Sequence, residues 1–246
     1  KNISLVLIKM TSKNYKSELR DVFKKFDVFA KARQHLGHEE DKISDATKAS
    51  INNSVSAGSA SGEKRQELLS DARENADKAA EILLQLHHRL IDDYGRFWRQ
   101  DLITHQLFAI PEQEITEAFS ILAILNQKPI PTRTINFRMR EPGEYGKIKA
   151  SLTVSGQPYV FGLLDCVGEL DRILHDSLKN NQKEFLKQIL KKMEEMYTEL
   201  ERFKEFPNRK DPLIKTKDLA NLKHRIDICG SQVHRCRTLL QNKGIL

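Results

Sequence analysis

Apolar residues recur every three or four positions along most of this chain, and that spacing commits it to helices. In Glu63–Tyr94, Leu69, Ala72, Ala76, Ala80 and Leu83 draw one apolar face. Tyr15–Gln34 does the same with Leu19, Val22, Phe23, Phe26 and Phe29, and Glu39–Ala57 with Ile43, Ala46, Ile51 and Val55. Further helices are expected around Phe97–Phe108, from Pro111 to about Asn126, and over Pro158–Leu178, Gln182–Phe206 and Lys215–Asn242. Gly37 and Gly95 are expected breaks, and the Ser/Gly-rich stretch Ser54–Gly62 is an expected loop. Pro111 suits the first turn of its helix, where a missing N–H costs nothing. Pro129 and Pro131 stop that helix, and Pro207–Pro212 reads as a linker. The expectation is an all-α bundle of about seven helices, with one domain over 15–246 and an N-terminal extension over 1–14.

One stretch has a different period. Ile135, Phe137 and Met139 alternate with Asn136, Arg138 and Arg140, and Ile148, Ala150, Leu152 and Val154 alternate with Lys147, Lys149, Ser151 and Thr153. The turn-forming run Glu141-Pro-Gly-Glu-Tyr-Gly146 lies between them. Period two on both arms predicts a β-hairpin within 132–155, apolar on one face and basic on the other.

Composition narrows the function classes. No stretch approaches the roughly 20 apolar residues of a membrane span. Three cysteines without a C-x-x-C pair make no disulfide framework and point to a reducing, cytoplasmic setting, or a nuclear one in a eukaryote. Cys229 and Cys236, seven apart, read as packing rather than as metal ligands. Lys and Arg number 41 against 34 Asp and Glu, a net +7 that permits a nucleic-acid partner without requiring one.

The chemistry concentrates in Tyr159–Leu170, Y-V-F-G-L-L-D-C-V-G-E-L. Asp165 and Glu169 are four apart, on one face of a helix that is otherwise nearly all apolar. Two carboxylates inside a core repel each other and lose hydration. The remedies are a cationic partner, for which Arg172 is the nearest candidate, or a divalent metal. Glu114 and Glu117, three apart, form a second pair that is weak when taken alone. Should the two helices pack together, four carboxylates converge. Such a set suits Mg²⁺ or Mn²⁺ and metal-assisted phosphodiester hydrolysis. Glu-x-x-His pairs, His-Glu-x-x-His, a P-loop and Gly-x-Ser-x-Gly are absent.

Tyr159 to Arg172 resembles the signature helix of the translin family, Y-L-x-G-x-x-D-x-x-G-E-L-x-R. The acid at Asp165 resembles the family's catalytic branch, which comprises translin-associated factor X and the archaeal translin-like nucleases. Gln113 to Ala118, Q-E-I-T-E-A, resembles the family's Q-E-Y-V-E-A. K-P-I-P-T (128–132) and L-K-H-R-I-D-I-C (222–229) are similar to archaeal-type members. The resemblance implies Mg²⁺-dependent endonucleolysis of single-stranded RNA, with Glu114, Glu117, Asp165 and Glu169 as the metal-binding and catalytic set. It also implies a hollow octamer, either of one chain or shared with a translin-type subunit. A rival register sets Ile91–Arg96 on the glutamate motif, which keeps Asp93 but puts Arg96 where an acid belongs. That register favours a non-catalytic subunit binding single-stranded RNA or DNA. A third reading is a helical adaptor with buried salt bridges.

Arg172, beside the acidic site, and Arg138, Arg140, Lys147 and Lys149 on the hairpin are the candidate RNA contacts. Arg202–Arg225 carries eight Lys/Arg against three Asp/Glu. Phe97 and Trp98 read as core or as base-stacking surfaces.

Overall fold

The structure is a computed structural model. It describes residues 2–104, 108–141, 144–180, 182–205 and 216–246. Side chains are described over 30–90, 92, 108–139, 148–180, 182–204 and 221–246, and at several positions between 15 and 27. The elements in order are α1 (Asn2–Ser59), α2 (Gly62–Thr104), α3 (Ala109–Leu125), β1 (Thr134–Glu141), β2 (Glu144–Thr153), α4 (Gly156–Ser177), α5 (Lys183–Glu201) and α6 (Thr216–Asn242). Short 3-10 turns follow α4 and α5, at Leu178–Asn180 and Arg202–Glu205.

The helical bundle and the hairpin match the expectation, but three boundaries do not. Helix α1 runs through Gly37, and α2 runs through Gly95. A glycine inside a helix costs only about 1 kcal/mol, which the packing of two long neighbouring helices offsets. The predicted loop over 54–62 shrinks to Ala60 and Ser61, because α1 continues to Ser59. Gly62 then takes φ +57°, the left-handed conformation that lets the chain reverse at once. The freed carbonyls of the turn find donors. Arg65 reaches the Ala57 and Leu125 carbonyls at 3.3 and 3.1 Å, so one guanidinium caps the C-terminal ends of both α1 and α3.

The hairpin pairs antiparallel, with Ile135 opposite Leu152 and Phe137 opposite Ala150, and a register shift after Met139. Ile135, Phe137, Leu152 and Val154 are buried against α1, α2 and α3. On its exposed face Arg138 lies directly opposite Lys149. Two like charges at paired positions cost stability unless an anion or solvent separates them.

Helix α3 is the shared wall of two cores. Ile115, Ala118, Phe119 and Leu122 face α1, α2 and the hairpin, while Ile121, Ile124 and Leu125 face α4, α5 and α6. On α6 the buried residues Ile226, Cys229, Val233, Cys236 and Leu240 repeat at three and four, the seam by which it joins α4 and α5. Among the described residues no helix is long and apolar enough to cross a membrane.

Gly162 sets the distance between α3 and α4. A methyl group on its Cα would lie 2.5 Å from the Gln113 carbonyl oxygen and 2.7 Å from Thr116 Cβ. Neither neighbour is a flexible side-chain tip. Replacing Gly162 with Ala is therefore expected to push α3 off α4 and cost about 1–3 kcal/mol. Urea denaturation checks this as a lower midpoint at unchanged slope. An unchanged midpoint rules out so close an approach.

Candidate functional site

Gly162, Asp165 and Glu169 follow at three and four along α4, so the close approach to α3 also presents both carboxylates to it. Helix α3 answers with Gln113 and Glu117. A cavity of about 370 Å³ opens where α3, α4 and α6 meet, lined by Glu117, Leu164, Asp165, Gly168, Glu169, Arg225, Ile228 and Gln232. Three of the four predicted carboxylates thus share one cavity. Glu114 is not among the lining residues; it acts on Glu117 through its charge and is held from α1, where Thr47 donates to Oε2 at 2.9 Å and Ser44 to Oε1 at 3.4 Å.

Asp165 is engaged on both oxygens. The Arg225 guanidinium pairs with Oδ1, and the Gln113 amide donates to Oδ2. Arg225 also lies over the Phe161 ring, 4.8 Å from its centre, which fixes the guanidinium at the cavity wall. Glu169 pairs with Arg172 through its buried Oε2, which lies 3.2 Å from a guanidinium nitrogen but outside hydrogen-bond geometry. Glu117 carries the consequence. Burial pushes its carboxyl up, Asp165, Glu169 and Glu114 push it further, and Arg225 only partly offsets them, so the group titrates at about 8. Cys166, fully buried behind the site, is held well above the ordinary thiol range by burial and then by Glu117, Glu169 and Asp165.

The donor set fits a hard divalent cation. Carboxylate oxygens are the ligands that Mg²⁺ and Mn²⁺ prefer. Glu117, which burial and the neighbouring acids keep protonated near neutral pH, is a group that a bound cation would let ionise.

A family model described as Translin family matches residues 31–240. The chain belongs to the translin family. That match falls inside the domain expected over 15–246. The solved complex of AfC3PO with duplex RNA is 20% identical with a TM-score of 0.57, covering 92% of this chain and 99% of that one. The crystal structure of AfC3PO is also 20% identical, with a TM-score of 0.56 and coverage of 90% and 98%. Apo-NeC3PO is 17% identical with a TM-score of 0.49, at 89% and 96% coverage. Comparison with curated proteins finds no match. The two AfC3PO likenesses show the translin-type fold.

The basic candidates fall less neatly on this translin fold. Arg172 is in place but engaged with Glu169, and its other nitrogen reaches Asn52 at 3.5 Å. Arg138 and Lys149 stand exposed on the hairpin and do not line the cavity. Arg140 and Lys147 lie outside the described side chains, as do Phe97, Trp98 and the rival-register pair Asp93 and Arg96. Within Arg202–Arg225, three described cations are already paired: Arg202 with Glu199, Lys204 with Asp227, and Arg225 with Asp165.

Three site residues escaped the sequence reading. Gln113 lies inside the glutamate motif, and Arg225 inside the stretch L-K-H-R-I-D-I-C, so both were visible as motif members without a role. Gln232 had no signal at all.

Proposed function

We propose that the cavity is the active site of a divalent-cation-dependent endoribonuclease acting on single-stranded RNA. The observation that carries this is the gathering of Glu117, Asp165 and Glu169 in one cavity, with Glu114 near enough to push the Glu117 carboxyl up. Glu117, Asp165 and Glu169 would hold Mg²⁺ or Mn²⁺, with Glu114 completing the set. When bound, the cation neutralises the scissile phosphate and acidifies water. The protein's own groups do the rest. Gln113 and Arg225 lock the Asp165 carboxylate, and Thr47 locks that of Glu114, so both are oriented before substrate arrives. Glu117, titrating at about 8, is poised to exchange a proton with the attacking water near neutral pH. Arg225 and Arg172 supply positive charge where an RNA phosphate would otherwise meet only acids. Arg138 and Lys149, with Arg140 and Lys147 beside them in sequence, are proposed to hold the strand further out.

Membership of the translin family supports this reading, as does the complex of AfC3PO with duplex RNA, which supports RNA as the polymer. The single strand and an octameric shell, of this chain alone or shared with a translin-type subunit, rest on the family resemblance. One observation favours a second reading, a non-catalytic RNA-binding subunit. Both cavity acids of α4, Asp165 and Glu169, are already ion-paired with arginines, which neutralises part of the charge a cation would need.

Labelled RNA, single-stranded or annealed to its complement, incubated with the purified protein with and without Mg²⁺, separates the two. Internal cleavage of the single strand only with Mg²⁺ is the expected result. Binding without cleavage at any Mg²⁺ or Mn²⁺ concentration supports the second reading. The mass of the particle in the same sample reports the assembly.

A further inference from the structure

A second cluster of potential ligands lies on α4 and α6, away from the carboxylate cavity. Asp171 is two residues past Glu169, about 200° further around the helix, and it is buried. One turn on, His175 places Nε2 3.4 Å from Asp171 Oδ1. From α6, Cys236 places Sγ 2.9 Å from the same oxygen. One ligand atom from each of the three lies within 4.8 Å of the others. Arg235 pairs with the other oxygen, Oδ2, so the carboxylate is clamped with Oδ1 turned toward the imidazole and the thiol.

We propose that Asp171, His175 and Cys236 form a zinc site that staples α4 to α6. Metal–ligand bonds of about 2.0–2.3 Å at tetrahedral angles put ligand atoms roughly 3.5 Å apart. The nitrogen–oxygen pair already has that separation. The sulfur–oxygen pair must open by about half an ångström, within reach of a small χ rotation at Cys236. One thiolate, one imidazole and one carboxylate form the donor set of a borderline-soft cation, which separates this site from the all-oxygen set of the cavity. Arg235 acts as the outer partner that orients a ligating carboxylate. His175 is 43% exposed, which gives the ion its way in and leaves the fourth position to water. On binding, the Cys236 thiol proton leaves to solvent as the metal–sulfur bond forms. Without zinc the same three groups are a hydrogen-bonded tether, so Cys236 has a role beyond the packing read from its sequence spacing.

The test uses the full chain, stripped with EDTA and titrated with Co²⁺ as a spectroscopic stand-in for Zn²⁺, in excess Mg²⁺ to occupy hard-ligand sites. The expected result is one equivalent of Co²⁺ with a thiolate-to-metal charge-transfer band. Zn²⁺ displaces the Co²⁺ and raises the melting temperature. The band disappears in Cys236→Ser and survives in Cys166→Ser, Cys229→Ser and Glu169→Gln. His175→Ala, at an exposed position that folding does not depend on, weakens Zn²⁺ binding at least tenfold and abolishes the thermal shift. A titration with no thiolate band overturns the proposal. So does a band that persists in folded Cys236→Ser, or an unchanged Zn²⁺ affinity in His175→Ala.

Discussion

Glu169→Gln is expected to bind RNA as the wild type does and to cleave it about a thousandfold more slowly. The size follows from the role. A cation that neutralises the phosphate contributes several kcal/mol to the transition state, and each 1.4 kcal/mol is about a factor of ten. Removing the charge of one partly buried ligand forfeits much of that. Glu169 is the cleanest of the four acids to change. Its partner Arg172 has a side chain 49% exposed, so losing the pair strands no buried cation and costs little stability. Asp165→Asn differs, because Arg225 has a side chain only 27% exposed and lies against Phe161. That substitution leaves a half-buried guanidinium without its counter-charge and mixes a folding defect with any catalytic one. The measurement is single-turnover cleavage of single-stranded RNA beside a thermal melt of the same preparation. An unchanged melt with cleavage lost is expected. Wild-type cleavage by Glu169→Gln removes the acid from the active site.

How much of this was legible beforehand depends on distance along the chain. The face shared by Asp165 and Glu169, and the pairing of Glu169 with Arg172, follow from spacings of four and three, which one helix turn fixes. The hairpin was legible because period two cannot be mistaken for a helix over two arms joined by a Pro-Gly turn. The partner of Asp165 was not legible. Arg225 is 60 positions away, and only the packing of α6 on α4 brings it there. The same holds for Thr47, 67 positions from Glu114. The misplaced breaks at Gly37 and Gly95 have another cause. Helix propensity is a local preference of about 1 kcal/mol, and the lateral packing that overrides it carries no mark at the glycine itself. Gly162 shows the converse. It reads as one more small residue in an apolar helix, yet it sets the separation on which the whole site depends.

Glu117→Gln is expected to stabilise the protein in alkaline solution and to do nothing of the kind in acid. In the folded protein the Glu117 carboxyl titrates at about 8, against an ordinary value of 4.5. The folded state therefore holds this proton more tightly than the unfolded chain does. The stability this contributes is complete below pH 4.5, declines as the pH rises, and is gone above pH 8. A shift of that size corresponds to something on the order of 3–5 kcal/mol between the two ends. Glutamine keeps the shape and cannot ionise, so the variant should lose this decline. Denaturant midpoints at pH 5.5 and pH 8.5 report it as a difference between the two proteins, which cancels every titrating group that Glu117 does not touch. A divalent cation should act on the same quantity from the opposite side. It favours the ionised carboxyl, so Mg²⁺ should raise the wild-type midpoint more at pH 8.5 than at pH 5.5. In Glu117→Gln that pH dependence should vanish. Equal pH slopes in the two proteins would mean that neither burial nor Asp165 and Glu169 raises the Glu117 carboxyl. The carboxylates would then not form one electrostatic unit, and the case for a shared cation would lose its physical basis.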